Sequence, residues 1–167
     1  MGRKERQSYD WRGFAPDERA VIAFVRRDGE LLLIHKKRGF GGGKINGPGG
    51  RIEPGESSTE AAIREVAEEV GLRIESPQRM ADLKFAFTDG YTLEVDVYVT
   101  ARFHGDPTET DEAKPFWTTL DEIPYDRMWE DDRLWLPRVL RGEYVSGRFV
   151  FHEDRMIESE LSADRSD

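Results

Sequence analysis

Two apolar segments near the start of the chain, AVIAFV (20–25) and LLLIHK (31–36), flank the polar stretch RRDGE. Asp28-Gly29 inside that stretch is a tight-turn pair, so the two segments predict a β-hairpin. KFAF (84–87) and TLEVDVYVTARF (92–103) read as further strands joined across Thr88 to Tyr91, with apolar and polar positions alternating in the middle of the latter. PFWTTL (115–120) and GRFVFH (147–152) add two more. From Ser58 to Val70 the period changes: no glycine or proline intervenes, and at about 100° per residue Ala62, Ile63, Val66 and Val70 share one face. Ser57 with Glu60 forms a capping-box pattern and Gly71 stands just past the end, so this helix is bounded on both sides. A shorter amphipathic helix is expected from Asp132 to Arg141, ending before Gly142 in spite of Pro137. Interleaved in this order, the elements predict an α/β protein with helices on the faces of a mixed sheet. Residues 1–17 read as an irregular leader, 18–161 as one domain and 162–167 as a tail.

The polar side of the long helix carries the first candidate chemistry. Glu65, Glu68 and Glu69 gather on an arc beside the apolar stripe, and like charges spaced i,i+3 and i,i+4 cost about 0.2–0.5 kcal/mol per pair. A hard divalent cation such as Mg²⁺, which takes oxygen ligands and completes its shell with water and phosphate, would offset that repulsion. A solvated acidic face is the simpler reading of the cluster taken alone. Upstream, GFGGGKINGPGG (39–50) contains seven glycines. Such a stretch gives either close backbone approach to a ligand or a loose connector.

Composition narrows the options. With 167 residues, 37% hydrophobic and 35% charged, the chain suits one domain with a modest core. It has no cysteine, which excludes disulfides, thiolate zinc sites and thiol nucleophiles and fits a reducing compartment. The beginning, MGRKERQSYDWRGF, is charged, and the apolar runs are too short to cross a bilayer, so no membrane partner and a cytoplasmic location are expected. A formal charge of −9 disfavours a nucleic-acid polymer as partner. A small phosphorylated ligand remains possible, its charge met by Mg²⁺ and by Lys36, Lys37, Arg38, Lys44 and Arg51, which precede the helix. His35, His104 and His152 are far apart and receive no role.

The spacing around the helix is more specific than the cluster. Gly50, Glu56 after five residues, and after seven more Arg64-Glu65-Val66-Ala67-Glu68-Glu69-Val70-Gly71-Leu72 resemble the complete box of the Nudix hydrolase superfamily at every fixed position. That resemblance implies an α/β/α sandwich around a mixed β-sheet. It also implies hydrolysis of a nucleoside diphosphate linked to a further group, with Mg²⁺ held on the box helix and Mn²⁺ able to substitute. Lys36 to Gly41, Asn46-Gly47, Gly49-Gly50, Glu112 and IPYDRMWEDDRLWLP (123–137), with the final GRFVFHEDRMIESEL, are similar to the MutT-type branch that acts on oxidised purine nucleoside triphosphates, the 8-oxo-dGTPases.

Carried over position by position, the resemblance implies a metal site of Glu65, Glu68, Glu69, the Gly49 carbonyl and the distal Glu112, with Arg64 orienting a box glutamate. Glu68, Glu69 and Glu112 all stay open as general base. Asn46, Asp131 and Asp132 would hydrogen-bond the purine, Phe40, Phe85 and Trp129 would wall it, and Lys36 would face the nucleotide. Two neighbouring carboxylates in such a pocket resist joint ionisation, so one can keep its proton and donate. Capping of the following helix is the competing role for Asp131-Asp132, and core packing the competing role for Trp129 and Trp135. Ile45 and Pro48 stand where that branch has tryptophan and phenylalanine, and the turn at 88–92 is a residue shorter, all at the pocket rim. The substrate expected is an oxidised purine triphosphate such as 8-oxo-dGTP, cleaved by a monomer to monophosphate and pyrophosphate. Unmodified nucleoside triphosphates, ADP-ribose and dinucleoside polyphosphates are the alternatives. A non-catalytic nucleotide sensor would have lost box glutamates, and all are present here.

Overall fold

The protein is seen here as a computed structural model that describes residues 9–163, so the leader is described from Tyr9 and the tail only to Ala163. β1 (Glu18–Arg27) and β2 (Glu30–Lys36) form the expected hairpin. Asp28 and Gly29 both take positive φ, 42° and 78°, as a two-residue turn matched to the strand twist requires. The glycine-rich stretch contributes two short strands, β3 (Ile45–Asn46) and β4 (Gly49–Arg51). The long helix α1 (Ser58–Val70) has its capping box fully formed, with Glu60 N–H donating to Ser57 Oγ at 3.1 Å and Ser57 N–H to Glu60 Oε1 at 3.0 Å. β5 (Arg73–Glu75), β6 (Gln78–Phe87), β7 (Thr92–Thr100), β8 (Arg102–His104) and β9 (Ala113–Thr119) follow. α2 (Asp132–Leu140), β10 (Val145–His152) and β11 (Arg155–Ser162) complete the chain.

Seven strands lie side by side in the order β11-β10-β6-β7-β1-β2-β3, with β4 added to β1 and β9 to β2. The β1/β7 and β6/β10 pairs are parallel and the rest antiparallel, so the sheet is mixed as expected. Strand alternation splits the core in two. Val21, Ala23 and Val25 of β1 with Leu32 and Ile34 of β2 face α1 and meet Ala62, Val66 and Val70. Phe24, Leu31 and Leu33 face the other way, towards Trp135, Leu136 and Val139 of α2. One helix thus covers each face, as the interleaved pattern predicted, in the α/β/α layering that the resemblance implied.

Departures fall at strand ends. The strand expected over 84–87 begins at Gln78, and the one expected over 92–103 breaks at Ala101. There Thr100 Oγ1 donates to Glu75 O at 2.7 Å and accepts from Arg102 N–H at 3.1 Å, turning β8 away to pair with β5. The strand expected over 115–120 runs instead from Ala113 to Thr119. Among the described residues, no helix is long and apolar enough to cross a membrane.

Candidate active site

The C-terminal half of α1 is fixed from both sides. Gly71 ends it in the left-handed conformation at φ 74°, and Thr108 N–H donates to Val70 O while Thr110 Oγ1 donates to Glu69 O, both at 2.8 Å. These bonds satisfy carbonyls that a helix end leaves open. They hold the turn bearing Glu65, Glu68 and Glu69 against β4, where a Cβ on Gly50 would lie 2.4 Å from the Glu65 carboxylate. Any side chain there would have to displace that carboxylate from its bond with Arg64.

Arg64 organises the acidic residues around it. Its Nε and Nη2 donate to the two oxygens of Glu56 at 2.7 and 2.8 Å, Nη1 donates to Glu65 at 2.7 Å and Glu68 at 3.1 Å, and Nη2 also reaches Arg51 O at 3.0 Å. The two-pronged contact holds the Glu56 carboxyl down at about 2. Glu69 is different: its side chain is buried, and its Oε2 accepts from Gly49 N–H at 2.8 Å. Burial pushes its carboxyl up to about 7 against the pull of that N–H and of Lys36, and the Glu65 and Glu112 charges push the same way. Burial also raises Glu65, although Arg64 pulls it down.

The β1/β4 register shows what else faces Glu69. Val21 pairs with Gly50 and Ala23 N–H donates to Pro48 O at 2.8 Å, so Gly49, opposite Ile22, falls between the bonded positions. At such a position N–H and C=O both turn away from the partner strand. The N–H meets Glu69, and the carbonyl is directed to the same side. Glu65, Glu69 and the Gly49 carbonyl are therefore hard oxygen donors grouped on one side of β4, with Glu68 at its rim, and a carboxylate raised by burial, with acidic neighbours adding to the same effect, is chemically suited to a divalent cation. Among the described residues no three acidic or histidine side chains are already gathered into a metal cage. Arg64 draws Glu65 and Glu68 to itself, and Glu112 is more than half exposed, with Arg38 3.8 Å away. Glu112 acts on Glu65 and Glu69 through its charge.

On the α2 face, a cleft of about 110 Å³ opens beside β4. Lys36, Phe40, Asn46, Phe85, Trp129, Asp131 and Asp132 all line it, together with Gly49 and Gly50 at the end nearest the box. Asp131 does not cap α2, because its Oδ2 accepts from Trp135 Nε1 at 2.7 Å instead. Asp131 Oδ1 and Asp132 Oδ2 are buried without a partner. Burial raises Asp131 to about 6, and burial together with the adjoining Asp131 charge raises Asp132 well above the ordinary carboxylate range, so the pair resists joint ionisation. Phe40 stacks on Trp129 with ring centroids 5.2 Å apart and 15° between planes. Trp129 and Trp135 both line the cleft, and Trp135 is also fully buried core and the donor to Asp131.

Of the basic residues expected to meet phosphate, only Lys36 lines the cleft. Lys37 is taken by Glu109 Oε2 at 2.5 Å and Thr110 O at 2.8 Å, Arg38 lies by Glu112, Lys44 pairs with Asp154, and Arg51 pairs with Glu18. Sequence reasoning gave no role to Glu56, although its fixed place in the box was a signal. It also missed Phe87, which shares a strand face with Phe85 and lines the same cleft.

Residues 16–139 match the NUDIX domain family. The chain belongs to the Nudix family. A relative in Danio rerio, "Oxidized purine nucleoside triphosphate hydrolase", is 38% identical over 143 residues, covering 84% of this chain and 92% of that one. A relative of the same name in Mus musculus is 36% identical over 138 residues, covering 82% and 88%. A solved MutT protein from Bacillus halodurans superposes with a TM-score of 0.79 at 24% identity, covering 89% of this chain and 99% of that one, which shows the fold. This Nudix hydrolase carries the Arg64 and glutamate part of the box on α1, with Gly50 and Glu56 before the helix and Gly71-Leu72 after it, and Nudix hydrolases generally need a divalent metal.

Proposed function

We propose that this Nudix hydrolase is a Mg²⁺-dependent pyrophosphohydrolase that converts oxidised purine nucleoside triphosphates, such as 8-oxo-dGTP, to the monophosphate and pyrophosphate. Mn²⁺ would substitute, since the donors are the same hard oxygens. The observation that carries the reading is a single cleft that joins a polar, aromatic-walled end at Asn46, Asp131 and Asp132 to the Gly49-Gly50 edge of the box helix. A nucleotide laid along it would place its base at one end and its phosphates at the other. The names of the Danio rerio and Mus musculus relatives support this substrate class.

Each residue then has a task. Asp132, protonated, donates to a purine edge and Asp131 accepts, while Asn46, whose Oδ1 already accepts from Gly47 N–H at 2.8 Å, offers its amide to the base. Phe40 and Trp129 wall the ring, and Lys36 meets phosphate charge. Glu65, Glu68, Glu69 and the Gly49 carbonyl would hold the cation, with Glu112 beyond them. Bound there, the ion lowers the pKa of a coordinated water and neutralises phosphate charge. Arg64 keeps Glu65 and Glu68 in place. Glu68, Glu69 and Glu112 are the candidates to take a proton from attacking water. The reading describes a monomer acting in the cytoplasm on free nucleotides.

Turnover of 8-oxo-dGTP, 2-oxo-dATP, dGTP, ADP-ribose and a diadenosine polyphosphate, with product analysis, tests the assignment. An oxidised purine triphosphate should give the highest kcat/KM. Preference for ADP-ribose would overturn it.

A further inference from the structure

We propose that Lys44 is a positioning residue for base recognition: held by Asp154, its ammonium fixes the Trp129 indole and seats the glycine-rich loop on it. The inference rests on the purine reading of the cleft. It starts from how one loop surrounds one side chain. Phe40 stacks on Trp129 at 5.2 Å, Lys44 Nζ lies 5.1 Å from the centroid of the Trp129 ring, and a Cβ on Gly41 would come to 3.0 Å from Trp129 Nε1. Gly41, at φ +79°, could not carry that Cβ without strain in any case. Three residues of the loop are therefore shaped to the same indole.

The loop is also closed on itself and on its neighbours. Lys44 N–H donates to Gly41 O and Lys36 N–H to Lys44 O, both at 3.0 Å, so the loop leaves β2 and returns to it. Lys44 Nζ stands 3.4 Å from Asp154 Oδ2 in the β10–β11 turn, and Glu130 Oε1 accepts from Met156 N–H at 2.7 Å just beyond that turn. The turn thus grips the loop through Lys44, and the start of β11 holds the Trp129 segment through Glu130. A cation over an indole face is attracted by the ring quadrupole, and the Lys44 side chain is only 26% exposed, which weakens competition from water. Lys44 does not itself line the cleft. Trp129 does, and Asp131 and Asp132 follow it within three residues, so a displaced indole moves the carboxyl pair as well.

The glycine-rich stretch accordingly serves the base end of the cleft up to Lys44, and the phosphate end only at Gly49-Gly50. The test is calorimetric binding of 8-oxo-dGMP without divalent metal, together with kcat and KM for 8-oxo-dGTP and a melting temperature for each variant. Lys44→Met should weaken Kd and raise KM by about fivefold to tenfold with kcat unchanged, the size expected for one partly shielded cation–aromatic contact. Lys44→Arg should restore both. Asp154→Asn, at an exposed position, should give a smaller loss that disappears in the Lys44→Met background. Wild-type affinity in Lys44→Met, or equal losses in kcat and affinity, would overturn the proposal. A wild-type protein that binds no purine monophosphate would overturn the purine reading and this inference with it, whereas binding that Lys44→Met leaves intact would overturn this inference alone.

Discussion

Arg64 shows how much of the site depends on one planar donor. Its three nitrogens serve Glu56, Glu65 and Glu68 together, a geometry that a lysine ammonium cannot reproduce. Arg64→Lys should lower kcat by about 10- to 100-fold, the usual effect of losing a residue that orients ligands, and should raise the Mg²⁺ concentration needed for half-maximal rate. Glu69→Gln should abolish turnover yet keep the circular dichroism spectrum, because the amide oxygen can still accept from Gly49 N–H. Asp131 gives a pH prediction. Its folded carboxyl, at about 6, holds its proton longer than the ordinary value of 3.8 allows, so its contribution to stability is greatest below pH about 4 and is lost as pH rises through about 6. Asp131→Asn, which keeps an acceptor for Trp135, should flatten the fall in urea midpoint across that window relative to wild type, and an unchanged slope would contradict the assignment. The box spacing made Arg64 and the glutamates legible, since all lie within one helix. The role of Glu56 was not, because spacing does not say which nitrogen meets which oxygen.

At the level of elements, α1 is the clearest success of the sequence pattern and also the most sensitive part of the site. Its capping box and left-handed end follow from Ser57, Glu60 and Gly71, residue types with few other uses in those places. At φ +74°, with Thr108 Oγ1 only 2.8 Å from where a Cβ would stand, Gly71→Ala should cost about 1–2 kcal/mol in urea unfolding, a strain cost typical of this conformation. Activity should fall with it, because Glu69 and Glu65 belong to the last two turns. The short strands β3, β4, β5 and β8, with two or three residues each, left no alternation to read. β11 is largely exposed along a sheet edge, so its sequence is polar and periodicity alone would pass over it.

Across the whole molecule, the two faces of one sheet divide the work. The α1 face supplies the acidic donors, the α2 face supplies the base cleft, and they meet where Gly49 and Gly50 bring β4 against both. The cleft walls come from β1, β2, the glycine-rich loop, β6, β7 and the segment leading into α2, which no local pattern could have brought together. Only the resemblance across 123–137 indicated that Trp129, Asp131 and Asp132 belong with Asn46. The most direct test is a crystal structure of the Glu69→Gln variant with Mg²⁺ and 8-oxo-dGTP. The account predicts the purine against Asn46, Asp131 and Asp132, with the ion between the triphosphate and the Gly49, Glu65 and Glu68 oxygens. A nucleotide bound outside this cleft, or an ion distant from α1, would contradict it.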